Sequence, residues 1–109
     1  MSVTINIYYT GKDGSAVRFA EEMVESGTVA AIRAESGNER YEYFFSMENP
    51  ETVLLIDSWA NQEAIDAHHA SAMMAKITEL REKYDLRMKV ERFADAEGIS
   101  DHDRRFIRA

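Results

Sequence analysis

Apolar side chains occupy both faces of three predicted strands, and this feature constrains the fold of the chain more than any other. Successive side chains of a strand point to opposite faces of its sheet. The strands predicted over 3–10, 39–47 and 52–59 therefore present two apolar faces, carried by Ile5, Ile7 and Tyr8, by Tyr43, Phe45 and Phe44, and by Leu54, Ile56 and Leu55. Each of these strands needs a cover on both sides.

The order of the predicted elements indicates an α+β fold. A fourth strand is predicted over 86–93, where apolar and charged residues alternate. Apolar residues recur at helical spacing between the first two strands, over 62–69, and from Ser71 to Tyr84. The resulting βαββαβ order is typical of the ferredoxin-like fold. We expect one antiparallel sheet with its helices on one face.

Capping and helix-breaking residues mark the ends of the predicted helices. Asp13 or Ser15 is suited to cap the first helix, and Asn61 the helix over 62–69. Gly27 lies inside the first helical pattern, where glycine costs about 1 kcal/mol relative to alanine, so a kink or close packing is expected there. Gly37 is placed to end this pattern as a C-cap.

The two apolar faces of the sheet predict a homodimer. Helices on one side leave the other face of the sheet uncovered, and a large exposed apolar surface usually marks an interface. We expect two copies to pack face to face about a twofold axis, the commonest closed symmetry, and to close a shared barrel.

Charge and cysteine content narrow the partners and the compartment. A formal net charge of −7 disfavours nucleic acid, which is bound by basic surfaces, and anionic membrane surfaces. Cysteine is absent, so neither disulfides nor thiolate metal sites are expected. The N-terminal residues lack the pattern of a signal peptide, and no apolar run reaches the length of about 20 residues that spans a membrane. We expect a cytoplasmic protein.

The length of 109 residues suits one domain, which we place at 1–95. The remaining residues, 96–109, form a polar tail with three apolar side chains, Ile99, Phe106 and Ile107. An isolated polar tail has no need of such side chains. The tail is therefore expected to pack on its own domain or on the partner subunit.

The residues suited to chemistry lie around the end of the third strand. Trp59 ends this strand, and His68 and His69 follow on the next predicted helix. Adjacent helical residues point about 100° apart, so the two histidines are poorly placed to share a metal ion, and no metal site is predicted. Histidine is the usual general base near neutral pH, but a packing role for His68 and a core role for Trp59 are the simpler interpretations.

Other polar and aromatic residues are open to two interpretations. Asn6 lies within the first strand, where a buried amide needs a hydrogen-bond partner, so its side chain is either structural or directed at a ligand. The aromatic residues of the strands either fill the core or line a flat pocket. Neither a dinucleotide-binding GxGxxG motif nor a P-loop is present.

The segment 31–71 resembles the core of the antibiotic biosynthesis monooxygenase family. The shared features are an acidic helix end followed by Gly37, the sequence RYE at 40–42, an Asn-Pro turn at 49–50, an acid-x-Trp strand end at 57–59, and an Ala-x-x-x-His helix at 64–68. The resemblance covers about residues 3–93. It implies a dimeric α+β barrel with a pocket in each subunit between sheet and helices.

The resemblance also assigns roles to single positions. Trp59 and His68 match the tryptophan and the helix histidine of the family, and Asn6 matches an asparagine of the first strand. Met73 stands where several members have a second histidine. Haem-degrading members have an aromatic residue at the position of His68 and a histidine near Thr78, and this chain departs from that pattern.

Taken together, the residues and the resemblance predict a cofactor-independent monooxygenase that oxidises an electron-rich phenol or quinol. His68 is the predicted base, and Asn6 and Trp59 are the predicted hydrogen-bond donors to the developing oxyanion. Neither flavin, metal nor haem is expected. The substrate, a small aromatic or hydrophobic molecule, is expected to contact five side chains: Tyr8, Tyr43, Phe45, His69 and Met73.

Two alternatives belong to other functional classes. An isomerase acting on a small phosphorylated ketone could use the same histidine for proton transfer, with Arg33 or Arg40 as the cation for the phosphate. A non-catalytic dimer that binds a small hydrophobic molecule is the second alternative.

Overall fold

The computed structural model describes residues 1–95 and 98–108 as a four-stranded antiparallel sheet with helices on one face. The strands have the spatial order β2-β3-β1-β4, which confirms the predicted α+β, ferredoxin-like fold. In chain order the elements are β1 (Val3–Thr10), α1 (Ser15–Glu25), α2 (Thr28–Arg33), β2 (Asn38–Phe45), β3 (Thr52–Trp59), α3 (Gln62–His69), α4 (Met73–Lys83), β4 (Arg87–Ala94) and α5 (Asp101–Arg104).

The register of the sheet decides which side chains share a face. Ile5 pairs with Asp57 on β3 and with Arg92 on β4, and Tyr9 pairs with Val53 on β3. These side chains point toward the helices, and we call this side of the sheet the covered face. The other side is the open face, on which Asn6 lies between its neighbours on β3 and β4.

The covered face carries the core of the domain. Tyr9, Leu55 and Trp59 from the strands pack with Phe19 and Leu80 from the helices. The predicted apolar stripe of α4 is confirmed. Ile77 and Leu80 are buried, and Met73 and Tyr84, at the two ends of the stripe, pack against the core. Burying such side chains stabilises the fold by about 1.5–3 kcal/mol each.

The N-caps predicted for α1 and α3 have different outcomes. The prediction that Asp13 or Ser15 caps α1 is wrong: Gly14 occupies the N-cap with φ 79°, and no side chain caps the helix. The Ser15 hydroxyl instead accepts a hydrogen bond from the Lys12 N–H at 3.0 Å. The predicted cap of α3 is confirmed, because the Asn61 side chain accepts from the Ala64 N–H at 2.9 Å.

Gly27 does more than kink the first helical segment. Its φ of 82° is left-handed and ends the continuous helix, so that α1 and α2 are separate helices. Glycine alone adopts this conformation without a steric cost from Cβ. The prediction that Gly37 is the helix C-cap is wrong, because Ala34 is the C-cap of α2; Gly37, with φ 84°, lies in the turn that leads into β2.

The open face bears a row of apolar side chains without a cover in the subunit: Tyr8, Phe44, Leu54, Ile56 and Phe93. Phe93 is 51% exposed. Asn6 lies between Ile56 and Glu91 on this face, and its Oδ1 atom is buried without a hydrogen-bond partner in the part of the chain described.

The three apolar side chains of the C-terminal tail, Ile99, Phe106 and Ile107, are each more than half exposed in the subunit. Packing of the tail on its own domain or on a partner subunit stays a prediction. The predicted tail includes Ala96, Glu97 and Ala109, which lie outside the described residues.

None of the helices in residues 1–95 and 98–108 combines the length and the apolar character that a membrane crossing requires.

Candidate functional site

A cavity of about 380 Å³ lies between the covered face and helices α3 and α4. Most of its wall is apolar, and its polar groups converge from the strands and both helices. Ile5, Ile7 and Val90 from the strands and Ile65 and Ile77 from the helices supply much of the apolar wall. The polar groups are Tyr41, Asp57, Gln62, His68, His69, Arg81 and Arg92. An apolar pocket with a few convergent polar groups is typical of a small-molecule site.

His68 is fixed in this cavity from three sides. It is 4% exposed and lies on the last turn of α3, the helix capped by Asn61. Its ring stacks on Trp59, with the centroids 4.7 Å apart and an angle of 29° between the planes. Its Nδ1 atom is 2.7 Å from Oε2 of Glu35, which follows α2. The ring of Tyr41 approaches edge-on at 6.4 Å.

The contact with Glu35 sets the chemistry of the imidazole. An ionised carboxylate only accepts hydrogen bonds, so Nδ1 must carry the proton in this pair. In the neutral ring Nε2 is then the atom with the free lone pair. Nε2 forms no hydrogen bond with the described residues, so it is available to accept a proton from a bound molecule.

Asp57 is the second titratable group of the cavity. Its Oδ1 accepts a hydrogen bond of 2.5 Å from the indole N–H of Trp59. Burial raises the pKa of Asp57 to about 7, against the opposing effect of the Trp59 hydrogen bond; the charge of Glu35 raises this pKa further and Arg81 lowers it. The carboxyl group therefore changes its charge near neutral pH.

The structure brings His68, His69 and Trp59 together. His68 and His69 both line the cavity, and their ring centroids are 5.8 Å apart. Trp59 is 1% exposed and packs behind two residues of the cavity wall: its ring stacks on His68, and its indole N–H donates to Asp57. The indole N–H of Trp59, the predicted donor to the oxyanion, donates to Asp57 in the subunit.

Asn6 and Tyr8 lie elsewhere. Both point to the open face, on the opposite side of the sheet from His68. Within the subunit neither side chain reaches the cavity, because the backbone of the sheet separates them from it. A donor role for Asn6 beside His68 is therefore not supported by this placement.

Tyr43, Phe45 and Met73 also do not line the cavity of His68. Tyr43 and Phe45 border a separate, shallower concavity of about 340 Å³ between β2 and α1, together with Val24. Phe45 is 67% exposed, since β2 is an edge strand. Met73 packs against the core, and the methionines in the cavity wall are Met74 and Met88.

Glu35, Asp57 and Arg81 form part of the site without having been predicted from the sequence. Glu35 is 33 positions from His68, and only the folded chain joins them. Two local signals existed: Asp57 shares the strand face of Trp59, two residues away, and Arg81 follows Ile77 by one helical turn. Neither signal indicates that the face borders a cavity.

The arginines considered for a phosphate lie outside this cavity. Arg33 donates hydrogen bonds of 2.7 and 2.9 Å to the Tyr41 carbonyl oxygen. Arg40 is exposed and pairs with Glu42 at 3.3 Å. The cations that do border the cavity are Arg81 and Arg92.

Residues 2–80 match the model of a protein family described as antibiotic biosynthesis monooxygenase. No curated protein matches the chain. Solved structures share its fold at low sequence identity. A proposed antibiotic biosynthesis monooxygenase from Deinococcus radiodurans is 18% identical with a TM-score of 0.77, and the match covers 92% of this chain and 97% of that one.

Two further solved structures illustrate the range of these similar proteins. SnoaB, a cofactor-independent oxygenase from Streptomyces nogalater, is 15% identical with a TM-score of 0.74, over 92% of this chain and 98% of SnoaB. A conserved protein of unknown function from Bacteroides thetaiotaomicron is 22% identical with a TM-score of 0.74, over 84% and 95% of the two chains.

Proposed function

The chain belongs to the antibiotic biosynthesis monooxygenase family, and from this premise we propose that it oxidises an electron-rich phenol or quinol with dioxygen and without a cofactor. One observation carries the proposal: the buried His68 is held by Glu35 through Nδ1 and borders a largely apolar cavity. The similarity to SnoaB, itself a cofactor-independent oxygenase, agrees with this chemistry.

The substrate supplies all the electrons in the proposed reaction. Nε2 of His68 accepts the phenolic proton, and the resulting anion transfers one electron to dioxygen. The two radicals combine to form a C–O bond, and loss of water from the peroxide leaves a quinone carbonyl. One oxygen atom enters the product and the other leaves as water, so a quinol gives a hydroxyquinone and four electrons reduce one dioxygen molecule. The protein contributes a positioned base and a cavity with little water.

Oxygen uptake with a panel of quinols tests the proposal. We expect uptake and hydroxyquinone formation in equal amounts with at least one quinol. His68→Ala should lower this turnover by roughly 10²–10⁴-fold, the usual contribution of a positioned base. His102→Ala, on the exposed α5, is the matched control.

Two results would contradict the proposal. One is a folded His68→Ala protein that consumes oxygen at the wild-type rate. The other is tight binding of quinols by the wild type with no oxygen uptake across the panel, which would identify a non-catalytic binding module.

We also propose that the protein is a homodimer whose open faces pack together. The apolar side chains of the open face support this. A second copy would cover the apolar row. The exposed side chains of the tail would gain a surface to pack on.

A further inference from the structure

The polar lining of the cavity has an excess of positive charge, although the whole chain has a formal net charge of −7. Arg81 on α4 and Arg92 on β4 both border the cavity. Neither arginine forms an ion pair with a carboxylate in the part of the chain that the structure describes. A partly buried guanidinium without a counter-ion favours the binding of an anion.

The acidic groups in and beside the cavity already have hydrogen-bond partners. Glu35 is paired with His68. Asp57 is held by the Trp59 indole, and burial raises the pKa of Asp57 to about 7, so a large fraction of this carboxyl is neutral at neutral pH. The remaining polar groups that border the cavity, Tyr41, Gln62 and His69, carry no negative charge at this pH.

Arg81 is held with part of its guanidinium unused. Its Nε and Nη2 atoms donate to the hydroxyl oxygen of Tyr9 at 3.2 and 2.8 Å. These bonds orient the planar group, whose carbon lies 5.5 Å from the centre of the Tyr9 ring. Nη1 donates to none of the described residues. An oriented guanidinium with free donors suits the two oxygens of a carboxylate.

The sheet register separates this anchor from the proposed base. Asp57 pairs with Ile5, and the His68 ring stacks on Trp59, two residues further toward that end of the strand. Tyr9, which holds Arg81, lies four residues from Ile5 along β1, and the side chains of Arg81 on α4 and His68 on α3 border the same cavity. The apolar side chains of Ile7, Ile77 and Val90 line the wall of the same cavity.

We propose that Arg81 binds a carboxylate of the substrate, which would make the substrate an aromatic hydroxy acid and not a neutral quinol. The ring lies against the apolar wall, its hydroxyl at Nε2 of His68 and its carboxylate at Arg81. This inference rests on the proposed function, because it places the reacting hydroxyl at the proposed base. Arg92 is exposed and donates to Gln62 at 2.6 Å, so it attracts the anion at the cavity entrance.

Calorimetry with two matched ligands tests the role of Arg81. The probes are 2,5-dihydroxybenzoate and hydroquinone, which share a quinol ring and differ by one carboxylate. We expect the wild type to bind the carboxylate about 10-fold or more tightly, the range of a charge-assisted hydrogen bond. Arg81→Met should remove this preference and leave hydroquinone affinity within about threefold, and Arg81→Lys should restore part of it. Arg40→Met, on the exposed surface, should behave as the wild type.

Equal affinity of the wild type for the two ligands would overturn the role of Arg81, and this comparison requires no variant. An equal loss of affinity for both ligands in a folded Arg81→Met protein would also overturn it. Oxygen uptake separates the two proposals. A carboxylate preference without oxygen uptake contradicts the monooxygenase and supports the anion site. Oxygen uptake with neutral quinols but not with 2,5-dihydroxybenzoate contradicts the anion site alone.

Discussion

The covered face and the open face of the sheet come from the same strands, yet they carry different kinds of side chain. On the covered face, His68 and Asp57 each have a defined hydrogen-bond partner next to a cavity. On the open face, Asn6 lies between Ile56 and Glu91, beside a row of apolar side chains without a cover in the subunit. Satisfied polar groups around a cavity suit chemistry, whereas a row of uncovered apolar side chains suits association.

The difference assigns the proposed catalysis and the proposed association to opposite faces of one sheet. Side chains on the two faces alternate along each strand, so neighbouring residues such as Ile5 and Asn6 face the cavity and the proposed interface respectively. A substitution on one face should therefore affect one task more than the other. The predictions that follow test this separation.

A charge on the open face should produce the largest effect. Ile56→Glu places a carboxylate in the middle of the proposed interface, next to Asn6. An unpaired buried charge costs about 3–5 kcal/mol, so the dimer dissociation constant should rise at least about 100-fold. Sedimentation velocity measures the change, with Ala31→Glu on the exposed side of α2 as the control. A wild type that is monomeric at micromolar concentration would refute the dimer.

Loss of the carboxylate behind His68 should affect turnover and leave the dimer intact. Glu35→Ala removes the acceptor that fixes Nδ1. Carboxylates that orient a metal-bound histidine typically contribute 10–100-fold to activity, and we expect a loss of kcat of similar size here. Glu39→Ala, an exposed acid of β2, is the control. If Glu35→Ala retained the wild-type kcat and pH profile, Glu35 would not position the base.

Asp57 should make the stability of the fold depend on pH. Its pKa is about 7 in the folded protein and 3.8 in the reference state, so the folded state binds the extra proton between these values. This contribution to stability is complete at low pH and is lost as the pH rises through 7. Asp57→Asn cannot ionise, so its melting temperature relative to the wild type should be about 5 °C higher at pH 8.5 than at pH 5.5.

Thermal unfolding across this pH range provides the measurement for Asp57. Asp66→Asn, an exposed acid of α3, is the control. Parallel curves for the wild type and Asp57→Asn would show that the carboxyl does not hold a proton in the folded state.

Removal of the tail should have the smallest effect. Deletion of residues 98–109 removes three exposed apolar side chains that we expect to pack on the partner subunit. The melting temperature should fall by a few degrees, and the dimer should weaken. An unchanged melting temperature and an unchanged dimer dissociation constant would show that the tail packs on neither subunit.

The fold could be predicted from the sequence where local signals are strong. The bounds of β1 and β3 match the prediction, 3–10 and 52–59, because β-branched and aromatic residues fill these strands between turn residues. The α3 helix also matches, because Asn61 caps it. Predicted strand 39–47 instead ends at Phe45, and predicted strand 86–93 runs one residue later.

The candidate site could be predicted only in part. His68 and Trp59 could be identified because Trp59 ends a strand and His68 lies on the helix that follows it. The face of Asn6 was not predictable, because both faces of β1 are apolar and alternation alone does not indicate which one the helices cover. Glu35 and Arg81 reach the site from distant parts of the chain, and such contacts depend on how the helices pack on the sheet.

The comparison of kcat for His68→Ala and Asn6→Ala tests the central claim most directly. Both residues were predicted from the sequence to act in catalysis, but they lie on opposite faces of the sheet. In variants that keep the dimer and the melting temperature, we predict a loss of roughly 10²–10⁴-fold for His68→Ala and a change within a few fold for Asn6→Ala. An Asn6→Ala loss as large as that of His68→Ala would contradict the separation of chemistry and association between the two faces.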